Sequence, residues 1–258
     1  MSFKNKVVLV TGASSGIGAA TAVEFTKEGA KVAIVGRNEE RLQTVSDHCE
    51  KLGSKPLLII ADIANDDEAK RMIQKVIDGY GQLDVLVNNA GLAKYGSILD
   101  AKIVEAYDSI MNVNLRAQIN ITVLATPHLI KTKGNIVNIS SVGGTLVPRQ
   151  ASKTPYYISK AALNHFTRCA ALELASKGVR VNAVSPGPVK TEFFVNSGVS
   201  VSTFKVEDMA KNMPLQRISD PIEVAHLILF LASDKAVGIT GSEFLADNGY
   251  LLAYLENK

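Results

Sequence analysis

Two ionisable side chains, Tyr156 and Lys160, stand four residues apart. On a helix this spacing places both side chains on one face. A phenol has a pKa near about 10, too high for easy proton exchange at neutral pH. A nearby ammonium favours the phenolate and lowers that pKa. The pair therefore predicts a general acid/base, although the spacing is common in helices and gains weight only from its context.

A glycine-rich segment follows the first apolar run of the chain. Residues 7–10 lead directly into Thr11-Gly12-Ala13-Ser14-Ser15-Gly16-Ile17-Gly18. Glycines in a strand-to-helix turn let the backbone approach a pyrophosphate, and the helix N-terminus offers N–H groups to the anion. The spacing is one residue longer than the common dinucleotide fingerprint, and no Walker-type Gly-Lys-Ser/Thr follows. We predict a dinucleotide-binding loop, with a plain tight turn as the alternative.

The end of the second strand bears on the choice of nicotinamide cofactor. It reads Val35-Gly36-Arg37-Asn38, without the carboxylate that would bond a ribose 2′-hydroxyl. A guanidinium can clamp a phosphate with two hydrogen bonds. Arg37 therefore predicts NADP(H) in preference to NAD(H), and the alternative is an arginine that faces solvent.

Short apolar runs alternate with longer amphipathic stretches, and these elements must position the residues above. The predicted strands are 6–10, 31–35, 57–61, 85–87, 135–139, 179–184 and 243–245, and the predicted helices are 16–28, 39–52, 66–79, 102–131, 156–176 and 221–232. Continuous Val/Ile/Leu runs indicate strands covered on both faces. The alternation predicts one α/β domain over residues 1–258, a Rossmann-type doubly wound parallel sheet with helices on both faces.

Composition excludes several functional classes. The formal charge of +3 is scattered rather than gathered in the basic stripe of a nucleic-acid binder. Two distant cysteines, Cys49 and Cys169, suit neither a disulfide framework nor a metal site, and free thiols fit a reducing compartment. We find no signal peptide and no apolar run of about 20 residues. We therefore predict a cytoplasmic protein without metal, nucleic acid or membrane partner.

With these motifs in place, the chain resembles the classical short-chain dehydrogenase/reductase family along essentially its whole length. The matching pieces, in the family's order, are Thr11-Gly12 with Gly16 and Gly18, Asp62, Asn88-Asn89-Ala90-Gly91, Asn114, Ser140-Ser141, Tyr156 with Lys160, Pro186-Gly187 and Thr191. Several independent motifs at compatible spacings make an accidental match implausible. Within the family the pattern looks most like carbonyl reductases and 3-oxoacyl-carrier-protein reductases.

The resemblance implies four catalytic roles. Tyr156 is the general acid in reduction and the base in oxidation, and Lys160 lowers its pKa and holds the nicotinamide ribose. Ser141 polarises the substrate carbonyl, and Asn114 holds a water that feeds a proton relay to Lys160. Gly143 occupies the family's usual serine position, so Ser141 requires a loop two residues longer, and Ser140 is the runner-up.

The resemblance also implies cofactor contacts at many strand ends. They are Thr11, Gly12, Ser14, Ser15, Gly16, Ile17, Gly18, Arg37, Asn38, Asp62, Ile63, Asn89, Ala90, Gly91, Tyr156, Lys160, Pro186, Gly187, Val189 and Thr191. Asp62 and Ile63 would flank the adenine, and Ile17 would lie against the nicotinamide half. Asn88 and Tyr157 are interpreted as structural residues.

The substrate pocket is expected between the loop after Ser141 and a lid over about 187–213. Its predicted members are Ser141, Gly143, Leu146, Val147, Phe193, Phe194, Phe204, Met209 and Met213. They favour an apolar or mixed carbonyl or alcohol substrate, although half of the apolar ones could pack inside the lid itself. An NAD(H)-dependent dehydrogenase of steroids or other lipid alcohols is the alternative enzyme. A non-enzymatic cofactor-binding protein would be expected to lose Tyr156, Lys160 or Ser141, and an epimerase or dehydratase usually needs a larger C-terminal region.

The family's habit of assembling through its long helices predicts a homotetramer or dimer. Here those helices are 102–131 and 156–176. The apolar tail 250–255 also needs burial, which either a partner subunit or the chain's own fold could supply.

Overall fold

The computed structural model describes residues 2–197, 210–211 and 213–256, and it is built around a parallel sheet of seven strands in the order β3-β2-β1-β4-β5-β6-β7. The strands are β1 (Val7–Thr11), β2 (Lys31–Gly36), β3 (Leu57–Ile60), β4 (Val85–Asn88), β5 (Asn135–Ile139), β6 (Arg180–Pro186) and β7 (Glu243–Ala246). The order reverses between β1 and β4, which are paired neighbours with Leu9 opposite Leu86. Sheets of this type bind ligands at the carboxyl ends of the strands beside such a reversal.

The helices account for the rest of the described secondary structure, apart from short 3₁₀ and π segments. They are α1 (Gly16–Lys27), α2 (Glu39–Leu52), α3 (Asp66–Tyr80), α4 (Ile103–Met111), α5 (Gln118–Thr132), α6 (Thr154–Ala175), α7 (Phe193–Asn196), α8 (Pro221–Ala232) and α9 (Tyr250–Glu256). Every predicted strand is present, and so is every predicted helix except 102–131, which is interrupted; the outer bounds are displaced by at most two residues. The predicted fold class is therefore confirmed.

Both faces of the sheet are covered, as the unbroken apolar strands predicted. Along β1, Val7 and Leu9 face one layer, whereas Val8 and Val10 face the other. The first layer contains α3, α5 and α6, and the second contains α1, α2 and α8. Each fully buried aliphatic side chain contributes roughly 1.5–3 kcal/mol of transfer free energy. The sheet is therefore a rigid base from which the strand ends project.

One feature departs from the sequence prediction, and a second matches one of the two alternatives that the sequence left open. The predicted helix 102–131 is α4 and α5 joined by a π-helical segment, Asn112–Ala117. The apolar tail forms α9 and folds back on its own chain: Tyr254 is buried and packs with Val142 and Leu146. Its hydroxyl donates a 2.5 Å hydrogen bond to the Val147 carbonyl. A partner subunit is therefore not required to bury Tyr254.

None of the described helices combines the length and apolarity needed to cross a bilayer. Across the same ranges, no three His, Cys, Asp or Glu side chains come together as a metal site would require.

Candidate active site

A large cleft opens along the carboxyl edge of the sheet and runs across the β1–β4 reversal. Its volume is about 1900 Å³, above the roughly 300–1,000 Å³ usual for a single small ligand. The glycine-rich loop, the end of β2 and the residues after β4, β5 and β6 all line it. The cleft therefore has room for a dinucleotide and a second molecule.

The glycine-rich loop needs its glycines because its backbone lies very close to neighbouring backbone atoms. Gly12 has a φ of 65°, and a Cβ there would lie 2.8 Å from the Ala90 Cα. A Cβ at Gly18 would lie 2.4 Å from the Gly12 carbonyl oxygen. Helix α1 begins directly after the loop with no acidic residue in its first turn, and Ser15 makes no side-chain capping bond among the described residues. The loop and helix thus fit the pyrophosphate of a dinucleotide.

Two residues predicted to touch the cofactor lie behind the loop instead. Thr11 is fully buried, and its hydroxyl donates to the Val87 carbonyl and accepts from Asn89 N–H. Gly18 is buried against Gly12. The Asn89 amide completes this support by donating to the Thr11 and Gly12 carbonyls at 2.9 and 3.1 Å. The Thr11 hydroxyl and the Asn89 amide thus fix the loop from below, and Asn89 also lines the cleft.

The far end of the cleft is formed by Arg37, Asn38, Asp62 and Ile63. The Arg37 side chain is 69% exposed, and its Nη1 lies 3.7 Å from Asp62 Oδ2. A Cβ at Gly36 would lie 3.4 Å from the Ser14 side chain, so the end of β2 packs beside the glycine-rich loop. Arg37 thus stands at the mouth of the cleft, where its guanidinium can reach an anion.

Tyr156 and Lys160 lie on the first turns of α6 and face the cleft. The Lys160 side chain enters the protein, where Nζ donates to the Ile139 carbonyl at 2.8 Å. The same Nζ lies 5.8 Å from the centre of the Tyr156 ring. The helical spacing therefore brings phenol and ammonium together, as predicted.

The pKa of Tyr156 is shifted in the direction opposite to the prediction, which expected Lys160 to lower it. Burial raises the pKa of the Tyr156 phenol to about 12, and a hydrogen bond with the Ser141 side chain only partly offsets this. Burial also lowers the pKa of the Lys160 ammonium to about 8. Burial disfavours the charged form of both groups, which raises the pKa of the phenol and lowers that of the ammonium. At neutral pH the phenol is consequently protonated and able to donate.

The two serines after β5 have different partners. The Ser140 hydroxyl donates to the Lys160 carbonyl at 3.2 Å and is buried. The Ser141 hydroxyl accepts from Gly143 N–H at 3.0 Å and hydrogen-bonds the Tyr156 side chain. Ser141 is thus the serine of the pair that contacts the phenol, which favours it over Ser140.

Asn114 lies within the π-helical segment and is fully buried. Its amide clamps Leu92, accepting from the backbone N–H at 2.8 Å and donating to the carbonyl at 2.9 Å. It also donates to Ser159 Oγ at 3.1 Å. A Cβ at Gly91 would lie 3.3 Å from the Asn114 carboxamide and 3.7 Å from Lys160 Nζ. Asn114 therefore braces the loop beside the lysine, and the water relay stays a prediction.

The substrate end of the cleft differs most from the prediction. Leu146 is buried beneath α9, the Val147 side chain is 71% exposed, and Gly143 and Met213 are buried; none of the four lines the cleft. Phe193 does line it, with its ring centre 5.8 Å from that of Tyr156. The Phe194 side chain, Phe204 and Met209 lie outside the described residues.

Three tyrosines that the sequence analysis did not place in the pocket line the cleft: Tyr95, Tyr157 and Tyr250. The Tyr157 ring packs edge-on to Tyr156, with ring centres 6.2 Å apart, and lies against Gly143. Tyr157 was expected to pack, and it does so while also forming part of the wall. No motif marks these residues, because only the folding of α9 and the loop after β4 brings them together.

A doubly wound sheet whose glycine loop opens into a cleft at the strand reversal defines a dinucleotide-binding protein of the Rossmann class. Residues 12–251 match the family described as enoyl-(acyl carrier protein) reductase. A 3-oxoacyl-[acyl-carrier-protein] reductase of Thermotoga maritima is 37% identical over 258 residues, which cover 98% of this chain and 100% of the relative. The chain belongs to the short-chain dehydrogenase/reductase family and is an oxidoreductase.

Solved structures agree with that assignment. A short-chain dehydrogenase/reductase from Caenorhabditis elegans, crystallised with cofactor, superposes with a TM-score of 0.90 at 36% identity, covering 97% of this chain and 96% of that one. A short-chain dehydrogenase from Burkholderia cenocepacia in complex with NADP has a TM-score of 0.88 at 34% identity and covers 97% and 99%. The resemblance inferred from the motifs is confirmed.

Proposed function

We propose that this chain is an NADP(H)-dependent oxidoreductase that interconverts a ketone and a secondary alcohol, with Tyr156 as proton donor in reduction. The observation that carries the proposal is the Tyr156 phenol, hydrogen-bonded to the Ser141 side chain and with its ring centre 5.8 Å from Lys160 Nζ, at the edge of a dinucleotide cleft. The retention of Tyr156, Lys160 and Ser141 in one cluster disfavours a non-enzymatic cofactor-binding protein.

In the proposed reduction, NADPH held by the glycine-rich loop and Arg37 would supply the hydride that reduces the carbonyl carbon. The Ser141 hydroxyl binds the carbonyl oxygen, and the Tyr156 phenol transfers its proton to that oxygen as negative charge develops. Lys160, held by the Ile139 carbonyl, keeps a positive charge beside the phenolate that remains. Because its pKa is raised, the Tyr156 phenol is protonated at neutral pH and available as the proton donor.

Arg37 supports NADP(H) as the cofactor. Its guanidinium is exposed at the cleft mouth and only loosely paired with Asp62, at 3.7 Å. A dianionic 2′-phosphate would be a stronger partner than one distant carboxylate. The NADP complex of the Burkholderia cenocepacia relative supports the same choice.

An apolar or mixed substrate is supported by the aromatic wall of the cleft, namely Tyr95, Tyr157, Phe193 and Tyr250. The 3-oxoacyl-carrier-protein reductase among the relatives makes a 3-oxoacyl thioester the first candidate. A steroid or other lipid alcohol is the second, with NAD(H) as its possible cofactor. Cytoplasmic location and a homotetramer complete the proposal.

The first test is a depletion assay with NADPH and NADH in parallel over 3-oxoacyl thioesters, simple ketones, quinones and steroids. An enoyl thioester is included because the matched family is described as an enoyl reductase. We expect NADPH to be preferred and a carbonyl, not the enoyl double bond, to be reduced. A severalfold preference for NADH would contradict the role given to Arg37.

The second test is Tyr156→Phe, which removes the hydroxyl and keeps the ring. We expect turnover to fall by about 10²–10⁴, the usual contribution of general acid catalysis, while NADPH affinity measured by fluorescence stays within a few fold. Tyr157→Phe is the matched control because its ring is adjacent, and it should retain most activity. Survival of activity in Tyr156→Phe would mean that another group donates the proton.

A further inference from the structure

The described start of the predicted lid, residues 191–197, is tied to the opposite wall of the cleft. Arg41, on the first turn of α2, contacts two of its residues through Nη1. The distances are 2.9 Å to Glu192 Oε2 and 2.8 Å to Asn196 Oδ1. Glu192 and Asn196 are four residues apart, a spacing that lets both reach one guanidinium. We call these three residues the latch.

The latch is reinforced at two further places. The Asn196 amide donates to Ser15 Oγ, in the glycine-rich loop, at 3.2 Å. Ser197 Oγ accepts from the Ala93 backbone N–H, after β4, at 3.0 Å. Residues 191–197 are thus anchored to α2, to the glycine-rich loop and to the loop after β4. These anchors lie on both sides of the β1–β4 reversal.

The anchored segment also reaches the reacting end of the site. A Cβ at Gly16 would lie 3.0 Å from Thr191 Cγ2, so Thr191 packs against the glycine-rich loop. The Phe193 ring lies 5.8 Å from the Tyr156 ring, centre to centre. A segment fixed at both ends of the cofactor's path would have to lift before a dinucleotide could leave.

We propose that Arg41, Glu192 and Asn196 are positioning residues that hold this segment closed over the bound dinucleotide and thereby limit the rate at which the cofactor leaves. The inference rests on the proposed function for the identity of the cofactor, but it does not depend on the proton chemistry of Tyr156. Arg41 acts through Glu192 and Asn196 and is distinct from Arg37, whose ion pair is with Asp62.

The test measures NADPH release from the full chain by stopped-flow fluorescence, without substrate. Glu192→Gln removes the charge and keeps the shape. Because exposed ion pairs contribute at most about 1 kcal/mol, we expect its release rate to rise by about 3–5-fold. The matched control is Asp220→Asn, because Asp220 pairs with Lys190 at 3.0 Å in the neighbouring segment and carries the same charge. Its release rate should stay within twofold of wild type.

A charge reversal separates the latch from a general surface effect. Arg41→Glu and Glu192→Arg should each speed release, and the double variant should recover at least half of the change. High salt should speed release from the wild type more than from Glu192→Gln.

Equal release rates in wild type and Glu192→Gln would overturn the proposal, and so would an equal effect of Asp220→Asn. If Arg41→Glu weakens NADPH binding but Glu192→Gln does not change release, Arg41 binds the 2′-phosphate directly and there is no latch. Failure of NADPH to bind would overturn both this inference and the cofactor assignment. Loss of the Tyr156 role alone, with the release data as expected, would overturn only the proposed proton donor.

Discussion

Lys160 carries an ammonium group into the protein, where its side chain is 3% exposed and bonds a neutral carbonyl oxygen. Burial lowers the pKa of this group from 10.5 to about 8. The unfolded chain therefore binds the proton more tightly than the folded chain does. Below about pH 8 the folded state bears the full cost, and the cost disappears as the pH rises towards 10.5. A residue placed for chemistry thus weakens the fold at neutral pH.

Lys160→Met should reveal this cost. Each pKa unit corresponds to about 1.4 kcal/mol. The free energy of unfolding of the variant, relative to that of wild type, should therefore be about 2–3 kcal/mol more favourable to the folded state at pH 7 than at pH 10. Urea unfolding at the two pH values measures the difference, independently of the expected loss of activity. Lys75→Met, at an exposed position on α3, is the control and should show the same free energy of unfolding relative to wild type at both pH values. A pH-independent effect of Lys160→Met would contradict the lowered pKa.

At this scale, residue types could be predicted from the sequence but their environments could not. The Tyr156–Lys160 spacing placed the two groups together correctly. The direction of the Tyr156 pKa shift was missed because its burial depends on contacts distant in sequence, such as the Phe193 ring. Gly143, Leu146 and Val147 were assigned to the pocket by their closeness to Ser141 in sequence. The turn at 142–144 and α9 direct them elsewhere.

The turn between β1 and α1 is where an element depends most strictly on residue size. A Cβ at Gly18 would lie 2.4 Å from the Gly12 carbonyl oxygen, so backbone would have to move. Because Gly18 lies behind the loop, a substitution there can change cofactor affinity only by moving the backbone of the loop.

Gly18→Ala should therefore lower the free energy of unfolding by about 1–3 kcal/mol, the usual cost of overpacking. It should also weaken NADPH binding at least tenfold, measured by fluorescence titration. Gly238→Ala is the control, because a Cβ there would meet no described atom within 4 Å. It should leave both quantities near wild type. Normal cofactor affinity in Gly18→Ala would show that the loop tolerates the displacement.

Elements were easiest to predict where apolar residues repeat regularly. The π-helical segment Asn112–Ala117 was not foreseen, since its residues also suit an α-helix. Helix α7 was hidden in a stretch without a periodic pattern. Helix α9 was noticed only as an apolar tail. In each case contacts distant in sequence decide the local conformation.

At the scale of the whole molecule, the layer that contains α3, α5 and α6 exposes large apolar side chains to solvent. Val123 on α5 and Leu172 on α6 are 63% and 83% exposed. Single exposed apolar residues are ordinary, but two on the long helices of one layer support the proposed assembly through those helices.

Leu172→Arg should therefore disrupt assembly. We expect the wild type to elute as a tetramer in size-exclusion chromatography with light scattering, and the variant as dimers or monomers. Leu52→Arg is the control, because Leu52 is an exposed leucine on α2, in the opposite layer. A monomeric wild type would contradict the proposed tetramer, and a tetrameric Leu172→Arg would exclude α6 from the interface.

The position of β1 beside β4, and of β6 beyond β5, has a consequence for biosynthesis. The cleft takes residues from Gly12 to Tyr250, so its walls come from nearly the whole polypeptide. Pairing between strands so far apart in sequence has to await the later strands, and such topologies fold slowly. A nascent chain on the ribosome consequently exposes its apolar strands before it can gain stability from a bound nucleotide. We expect chaperone dependence to end only when β6 and β7 have left the exit tunnel.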